Sequence, residues 1–556
     1  MERPARAAFI GAVVGALATL PGLGSGTLWD NSETAYGEVA REILLRGDWL
    51  VMHLNGQAWF TQPPLYFWIA ALFAKLLGIT PFALRLPSAL ATIVMGAVTG
   101  YAISRQAGSR AGIFASLILS TALMQAVIGR LAIMDALLDL AVMLTVLWWF
   151  RGLETGKDRY YLYGAAAAAL GLLAKGPVAP AVALLVILPY AWWNRRHEIV
   201  NAPSAKAWLA GLFIFVAIAA PWFIALAVHA RLHSVVLLIG HYTFGRYTGV
   251  IENQSGPVWY YVPVLILGFF PWIAFLPPAI AYGISRLRSP NGDAAVARLW
   301  RLGFVWIVTP FIFFSFAQTK LPNYIALELP GLALVTALYF DAVVKKGTSR
   351  SAIIAAAIVP VTIGMLAIAI RIFSLENRLT SAITAAVPPL LGAAVAVFLG
   401  SLITAILVAR RRNLAAAPYA LAVAMLAALD VLAVDVLPRA EIFKPIPQLA
   451  AVIQRERRPG DVVAIQDVSG SNALVFYTEP GVVVLASPGV HGEDGASDPR
   501  RVICSAQRVW VVAPQIRPVF DPTYGRSRRV IATAAKAVLF LYDGPISTAC
   551  SQKPVP

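Results

Sequence analysis

Long apolar segments alternate with short polar ones along most of the chain. A membrane-spanning helix needs about 17 to 25 mostly apolar residues. Thirteen segments meet this description. They lie near residues 7–23, 84–104, 111–129, 134–150, 160–175, 178–194, 207–229, 258–283, 302–317, 322–342, 352–373, 383–409 and 415–437. The pattern predicts an α-helical polytopic membrane protein with about 13 transmembrane helices.

A further apolar segment, LYFWIAALFA (65–74), is short and runs directly into Lys75. Runs of this length are more often interfacial or re-entrant than membrane-spanning. Leaving it out places every strongly basic short loop on one side, which the positive-inside rule assigns to the cytoplasm. The opposite side then receives residues 24–83, the loop 230–257 and everything after residue 438.

The first outward loop contains a second kind of pattern. Residues 33–46, ETAYGEVAREILLR, alternate with helical period between an apolar stripe and a charged one. The apolar stripe comprises Tyr36, Val39, Ala40, Ile43 and Leu44, and the charged one Glu38, Arg41, Glu42 and Arg46. This predicts an amphipathic helix lying on the membrane surface, with Asn31 or Ser32 as its N-cap.

The tail differs in character from the rest of the chain. Five short β-rich runs, VVAI, ALVFYT, VVVLA, RVWVVA and AVLFLY, follow one helical candidate, IPQLAAVIQRER. We therefore predict two domains, a transmembrane domain over residues 1–437 and a small C-terminal α/β domain over 438–556 outside the cytoplasm. Both cysteines, Cys504 and Cys550, lie in this tail, where one disulfide is permitted.

Composition supports the membrane assignment. Hydrophobic residues make up 59% of the chain and charged residues 13%, against about 25% charged in soluble domains. The net charge of +17 is concentrated in short loops, so it is interpreted as an orientation signal and not as a nucleic-acid surface. Arg3 and Arg6 precede the first apolar segment, which we expect to be an uncleaved helix because many more follow.

Few basic residues face outward in this topology, so the presence of those that do requires a structural or functional explanation. Ionisable groups at membrane depth are costly and are functional candidates by default. The candidates at outward helix ends and loops are Arg130, Lys175, Arg246, Lys320, Asp30, Glu33 and Asp135. The alternative for each cation is a side chain that snorkels to the interface, and for Asp30 a carboxylate that caps a helix or loop.

An outward pocket with acids and cations suits sugar transfer from a lipid phosphate. A carboxylate can take the proton from an attacking hydroxyl, and positive charge stabilises the departing phosphate. No nucleotide-binding motif occurs in the chain. No D-x-D occurs in residues 24–64, so no cofactor is predicted, with a divalent cation left open as an alternative.

Six motifs, in order, resemble one family of membrane enzymes. They are LW..SETAYGEVAREILLRGDWLVMHLNGQAWF..PP (28–64), FALRLPS (82–88), GRLAIMDALLDL (129–140), LLAKGPVAPAV (172–182), GPVWYYVPVLILGFFPWIAFLPPA (256–279) and FFSFAQTKLPNYI (313–325). The chain resembles the bacterial GT-C glycosyltransferases related to protein O-mannosyltransferases, and especially those that transfer aminoarabinose to lipid A. The resemblance implies thirteen spans, a periplasmic cavity, a polyprenyl-phosphate sugar donor and inversion at the anomeric carbon.

The first loop departs from the family pattern. Ser32 stands where the family has an aspartate, and Glu33 matches the glutamate that follows it. Asp30, two residues earlier, is the predicted replacement acid, with Glu33 as the alternative. The family's nearby arginine is Ala35 here, and Gln62 replaces the lysine of a Glu-Lys-Pro motif.

Other positions agree with the family. Asp135 matches its second acid, Lys175 the lysine of a Lys-Gly turn, and Lys320 and Tyr324 a Lys-Leu-Pro-x-Tyr motif. His241 and Arg246 lie where the family has a basic pair. From the resemblance and its departures together, we predict Asp30, Glu33 and Asp135 as the catalytic group. We predict that the donor phosphate is contacted by Lys175, Lys320, Arg246, Arg130, Tyr324 and His241.

The leading hypothesis is a multi-pass glycosyltransferase of the bacterial inner membrane with a periplasmic active site. It moves a sugar from undecaprenyl phosphate to lipid A or another envelope glycan or lipid, and we expect a monomer with no nucleic-acid partner. One alternative is a protein O-mannosyltransferase-like enzyme. Others are a transporter of lipid-linked anions, which would favour internal repeats that we do not find, and a non-catalytic binding subunit.

Overall fold

A computed structural model describes residues 3–29, 32–195, 200–251, 254–287, 293–348, 350–375, 381–466, 471–485, 497–515 and 526–544. Asp30 and Cys550 are outside the described residues. The main chain of His241 is described, but its side chain is not.

Helices form most of the structure. The first group is α1 (Arg3–Thr19), α2 (Ser32–Arg46), α3 (Leu65–Leu77), α4 (Pro81–Ala107), α5 (Ser109–Thr121), α6 (Leu123–Ile128), α7 (Asp135–Thr155), α8 (Asp158–Lys175), α9 (Val178–Arg195), α10 (Ala205–Val236) and α11 (Arg246–Thr248). The second is α12 (Tyr261–Gly268), α13 (Leu276–Leu287), α14 (Ala294–Phe316), α15 (Leu329–Lys346), α16 (Arg350–Leu375), α17 (Ser381–Ala409), α18 (Ala416–Val431), α19 (Leu437–Arg439), α20 (Pro445–Glu456), α21 (Ser471–Thr478) and α22 (Pro499–Ile503). A 3₁₀ segment, Pro322–Glu328, leads into α15.

Within the described ranges, eight helical segments are long and apolar enough to cross a membrane, or nine if one bent pair is a single span. This confirms a polytopic helical membrane protein. Four other predicted spans are helices that are shorter or less apolar: α1, α5 with α6, α8 and α9. The count of thirteen therefore stays a prediction. At 13 residues, or about 20 Å, α3 is too short to cross a bilayer core of about 30 Å.

Two predicted elements are wrong in detail. The span over 258–283 is two helical segments, Val258–Gly268 and Trp272–Leu287, which meet at 106°. The break contains Pro271, whose ring nitrogen cannot donate to a continuing helix. The loop predicted over 230–257 is helical as far as Thr248, because α10 continues through a π-helical stretch, Leu237–Gly245, into α11.

The amphipathic helix is present, but it is not simply a surface helix. The acids of its charged stripe are buried: Glu38 is 0% and Glu42 1% exposed. The Glu42 carboxylate accepts from the Gly56 N–H at 2.9 Å, in the turn of a short hairpin, β1 (His53–Leu54) and β2 (Gln57–Ala58). α21 of the C-terminal domain packs beside Glu38, where Arg41 donates to the Val475 carbonyl at 3.3 Å. Both faces of α2 are thus covered.

The C-terminal domain is a mixed sheet with helices on its faces. Its strands are β3 (Val462–Ile465), β4 (Val483–Val484), β5 (Val509–Pro514), β6 (Ser527–Ala534) and β7 (Ala537–Asp543), in the order β4-β3-β5-β7-β6. β4 and β5 run parallel to β3, and β7 runs antiparallel to β5 and β6.

The predicted β-run ALVFYT is in fact α21. Parallel pairing of β3 with β4 requires a crossover between them, and α21 supplies it. Strand β6 was not predicted, because its basic residues obscure the apolar alternation. Cys504 is disulfide-bonded, in agreement with the disulfide that the sequence permits.

Candidate functional site

Asp135 and Lys175 form a partly buried ion pair at the ends of two neighbouring helices. Asp135 is the first residue of α7 and Lys175 the last of α8, and the two helices pack together. The Lys175 Nζ lies 2.5 Å from Oδ1 of Asp135, which is 4% exposed. Asn323 also donates its Nδ2 to that oxygen, at 2.6 Å. The carboxylate also favours the positive end of the α7 dipole.

Tyr324 completes this cluster from the same 3₁₀ segment as Asn323. The Lys175 Nζ lies 5.6 Å from the centroid of its ring, within cation–π range. The ring packs against Phe314, with centroids 5.3 Å apart. We name Asp135, Lys175, Asn323 and Tyr324 the acid–lysine cluster.

Asp139 lies one helical turn after Asp135 and is 2% exposed. Spacing of four residues places both carboxylates on one face of α7. Its Oδ2 has no hydrogen-bond partner among the described residues. The helix end thus carries two buried acids near one lysine.

Lys320 is brought beside Arg246 by pairing of the main chain. The Thr319 N–H donates to the Arg246 carbonyl at 3.0 Å, and the Lys320 N–H to the Gln254 carbonyl at 2.9 Å. Arg246 also donates its Nη1 to Oε1 of Gln254, at 3.3 Å. The loop after α10 and the loop after α14 therefore form one unit.

The ammonium group of Lys320 faces the end of α14. It is 5% exposed and donates to the Ser315 carbonyl at 2.8 Å and to the Ala317 carbonyl. Burial lowers its pKa. These contacts satisfy carbonyls at the helix C-terminus, which positions the loop that continues to Asn323 and Tyr324.

Glu33 forms a second ion pair, a buried one, with Arg85 of α4. Arg85 Nε lies 2.9 Å from Oε1 and Nη2 2.8 Å from Oε2, a bidentate arrangement. The main-chain N–H groups of Trp29 and Ala132 donate to the same carboxylate at 2.8 and 2.5 Å. Glu33 and Arg85 are 1% and 5% exposed. The Glu33 carboxylate thus accepts four hydrogen bonds.

Arg130 belongs to neither cluster. It donates to the Ala18 carbonyl at 2.9 Å, to the Pro21 carbonyl and to the Asp430 carboxylate at 3.3 Å. It therefore ties α1 to α18, and burial lowers its pKa. The sequence interpretation placed Arg130 beside Lys175 at the donor phosphate. In the structure, Arg130 instead binds the Ala18 and Pro21 carbonyls and Asp430.

The two ion pairs lie at the same end of the helix bundle. Glu33 binds the N–H of Ala132, three residues before Asp135, and the Ser88 hydroxyl of α4 donates to the Ile133 carbonyl at 2.8 Å. The short segment 132–135 therefore connects the Glu33–Arg85 pair with the acid–lysine cluster. Glu33, Asp135 and Lys175 therefore lie at one end of the bundle, and their catalytic and phosphate-binding roles stay predictions.

Sequence reasoning missed Arg85 and Asn323. Both stand in the motifs FALRLPS and TKLPNY, and Arg85 is an arginine in an apolar helix, which is itself a signal of an intramembrane partner. In the part of the chain that the structure describes, no three His, Cys, Asp or Glu residues group in a way that could hold a metal ion.

Comparison with known proteins agrees with the motifs. A family model described as dolichyl-phosphate-mannose-protein mannosyltransferase matches residues 61–224. The chain is 31% identical over 319 residues to the undecaprenyl phosphate-alpha-4-amino-4-deoxy-L-arabinose arabinosyl transferase of Edwardsiella ictaluri. It is 32% identical over 328 residues to the transferase of the same name in Pectobacterium carotovorum. Each match covers 56% of this chain and 55% of the relative, so the chain spans little more than half the length of these relatives.

The fold comparison extends over nearly the whole chain. ArnT from Cupriavidus metallidurans, solved bound to undecaprenyl phosphate, superposes with a TM-score of 0.78 over 96% of this chain and 97% of that one, at 21% identity. The similarity therefore reaches beyond the segments that align in sequence, into the C-terminal domain. Motifs, family model and fold together confirm the resemblance: this chain has the GT-C fold and is similar to the aminoarabinose transferases.

Proposed function

We propose that the protein is an integral-membrane glycosyltransferase that moves a sugar from a polyprenyl phosphate to a cell-envelope acceptor at the periplasmic face. The observation that carries the proposal is the acid–lysine cluster. It places a partly exposed ammonium group at outward helix ends, where a lipid phosphate can reach it. The named activity of the relatives from Edwardsiella and Pectobacterium supports the same chemistry.

Lys175 is the cation that we assign to the donor phosphate. Its side chain is 15% exposed, and Asp135 and the Tyr324 ring hold its ammonium in place. As the bond from the anomeric carbon to the phosphate oxygen breaks, the electron pair goes to the phosphate, and a fixed positive charge stabilises it. Arg246 and Lys320 act from the neighbouring loop, Lys320 by positioning it.

Asp30 is the acid that we assign as the base. Glu33, the alternative, already accepts four hydrogen bonds and shares a guanidinium group, so it has little capacity to take a proton. An acceptor hydroxyl would lose its proton to Asp30 while its oxygen attacks the anomeric carbon from the face opposite the phosphate, with inversion. An acceptor phosphate is already ionised and needs no base.

The test uses purified protein in lipid nanodiscs with a labelled polyprenyl-phosphate sugar, and measures released polyprenyl phosphate and labelled acceptor. We expect turnover with lipid A or another envelope glycolipid as acceptor, and a loss of at least about 100-fold in Lys175→Met. Lys157→Met is the matched control, because Lys157 is an exposed lysine at the opposite end of α8. In sealed proteoliposomes, donor movement across the membrane without release of polyprenyl phosphate would indicate a transporter instead.

Identification of the acceptor needs a second measurement. Mass spectrometry of envelope lipids and proteins from a deletion strain should show loss of a sugar from a lipid or glycan. Loss of glycan from proteins alone would favour the protein O-mannosyltransferase-like alternative. An unchanged envelope together with no turnover for any donor would contradict the proposed function.

A further inference from the structure

The three residues that lead into Asp30 are held by side chains from distant parts of the chain. Thr27 is bound by Glu441: its N–H donates to Oε1 at 3.1 Å, and its hydroxyl donates to Oε2. Glu441 lies in the 3₁₀ segment Ala440–Phe443, more than 400 positions later. Glu441 therefore fixes both the main chain and the side chain of Thr27.

Lys444, which directly follows the 3₁₀ segment Ala440–Phe443, also binds residues 27–29. Its ammonium donates to the Thr27 carbonyl at 3.1 Å and lies 2.7 Å from Oε1 of Glu441. It also lies 4.0 Å from the centroid of the Trp29 ring, a close cation–π contact. Its side chain is 11% exposed, and burial lowers its pKa.

Tyr477 of α21 supplies the contact from the C-terminal domain. Its hydroxyl oxygen accepts a hydrogen bond from the Leu28 N–H at 2.8 Å. Leu28 is 1% exposed, so its N–H has no ready access to water. Burial raises the pKa of Tyr477, so the hydroxyl remains neutral at physiological pH.

Glu33 and Arg85 are the side chains of the transmembrane domain that bind residues 27–29. The Trp29 N–H donates to Glu33 at 2.8 Å, and Arg85 donates to the Thr27 carbonyl at 3.1 Å. Each N–H in residues 27–29 is thus bound by a side chain outside the segment. Hydrogen bonds to three separate side chains restrict the conformations open to this non-helical backbone.

We propose that Glu441, Lys444 and Tyr477 are positioning residues that fix residues 27–29, and through them the entry to the first outward loop. The C-terminal domain is then part of the catalytic assembly, although none of the three residues needs to contact substrate. The proposal rests on the proposed function and specifies how the acid-bearing loop is held. A catalytic side chain displaced by about 1 Å loses about 100-fold in rate, so the contacts matter for turnover.

Tyr477→Phe is the sharpest test, because it removes only the hydroxyl oxygen and keeps the ring that packs against Phe476. We expect kcat to fall about ten-fold, with KM for the donor unchanged, since Lys175 and its neighbours are untouched. Amide hydrogen exchange in residues 27–29 should rise several-fold. Tyr163→Phe is the control, because Tyr163 is half exposed on α8.

Lys444 provides the rescue experiment. Lys444→Met should lower kcat as Tyr477→Phe does, whereas Lys444→Arg keeps the charge and the cation–π contact with Trp29 and should recover most of the activity. A merely structural role would instead lower the thermal midpoint of both variants without separating kcat from KM.

Wild-type kcat and wild-type exchange in Tyr477→Phe would overturn the inference while leaving the proposed function intact. If wild-type protein releases no polyprenyl phosphate from any donor, the proposed function fails, but exchange at residues 27–29 still decides whether these side chains hold the segment. Unchanged exchange in both Tyr477→Phe and Lys444→Met would show that they do not.

Discussion

The two ion pairs at one end of the helix bundle differ in how completely their hydrogen-bonding capacity is used. Glu33 accepts four hydrogen bonds on two oxygens, and its partner Arg85 also donates to the carbonyls of Leu23, Ser25 and Thr27. Asp135 accepts two hydrogen bonds, both on Oδ1, from Lys175 and Asn323. The Glu33 carboxylate therefore has its hydrogen-bonding capacity filled, and we call its pair with Arg85 the saturated pair. The Asp135 carboxylate can accept further hydrogen bonds.

The choice of cation follows the same division. The planar guanidinium group of Arg85 makes several hydrogen bonds in fixed directions and suits a permanent joint. The ammonium group of Lys175 is a compact point charge on a flexible stem, and its side chain is 15% exposed against 6% for Arg85. The Glu33–Arg85 pair therefore holds the site together, whereas the Asp135–Lys175 pair can interact with a ligand.

The largest expected effect comes from breaking the saturated pair. Glu33→Gln leaves the Arg85 charge buried without its carboxylate, which costs about 3–5 kcal/mol in similar cases. We expect a large fall in the thermal midpoint in detergent, followed by tryptophan fluorescence. Glu479→Gln is the control, because that side chain is 74% exposed. A Glu33→Gln protein as stable as wild type would remove the distinction between the two pairs.

Lys175→Met tests the Asp135–Lys175 pair. It should lower the release of polyprenyl phosphate by about 100-fold, equivalent to about 2.7 kcal/mol in the barrier, while the thermal midpoint falls less than in Glu33→Gln. Asn323 still donates to Asp135 in this variant, so the carboxylate is not left alone. If Lys175→Met lost stability as Glu33→Gln does but kept its activity per folded molecule, both pairs would be structural.

A smaller effect is expected at Asn323. Asn323→Ala removes one of the two donors to Asp135 and leaves the Lys175 bond intact, so Lys175 keeps its charge but is held less firmly. We expect about a ten-fold loss of turnover with little change in stability. Asn323→Asp would place a second carboxylate against Asp135 and should be worse than alanine. Equal activity in all three proteins would contradict a positioning role for Asn323.

The positions of Glu33, Asp135, Lys175 and α2 could be predicted from the sequence, because each depends on a local sequence pattern. The span pattern and the loop charges placed Glu33, Asp135 and Lys175 on one side of the membrane. Lone charges in apolar surroundings marked them as candidates. The amphipathic period predicted α2, which begins and ends within one residue of the expected positions.

What the sequence could not supply was the partner of each charge. Arg130 and Lys175 have the same local signal, yet Arg130 binds Asp430, 300 positions away, and Lys175 binds Asp135. The amphipathic pattern of α2 predicted a helix on the membrane surface, whereas α21 and the hairpin at residues 53–58 cover its charged stripe. These contacts depend on how distant elements pack, and the period of a single helix carries no information about them.

Glu38, on that covered stripe, gives the smallest and most specific prediction, because it is a buried acid that is neither saturated nor exposed to a ligand. Burial raises its pKa from 4.5 to about 7, against the opposing effect of its ion pair with Arg41 at 2.7 Å. Between these values the unfolded chain loses the proton while the folded chain keeps it, so stability falls as pH rises through this window and is constant above about 7. We expect the stability of wild type to fall by about 1 kcal/mol per pH unit more than that of Glu38→Gln between about pH 5 and pH 7, measured by thermal unfolding. Identical pH profiles would mean that Glu38 is ionised throughout and that its pair with Arg41 resembles the saturated Glu33–Arg85 pair.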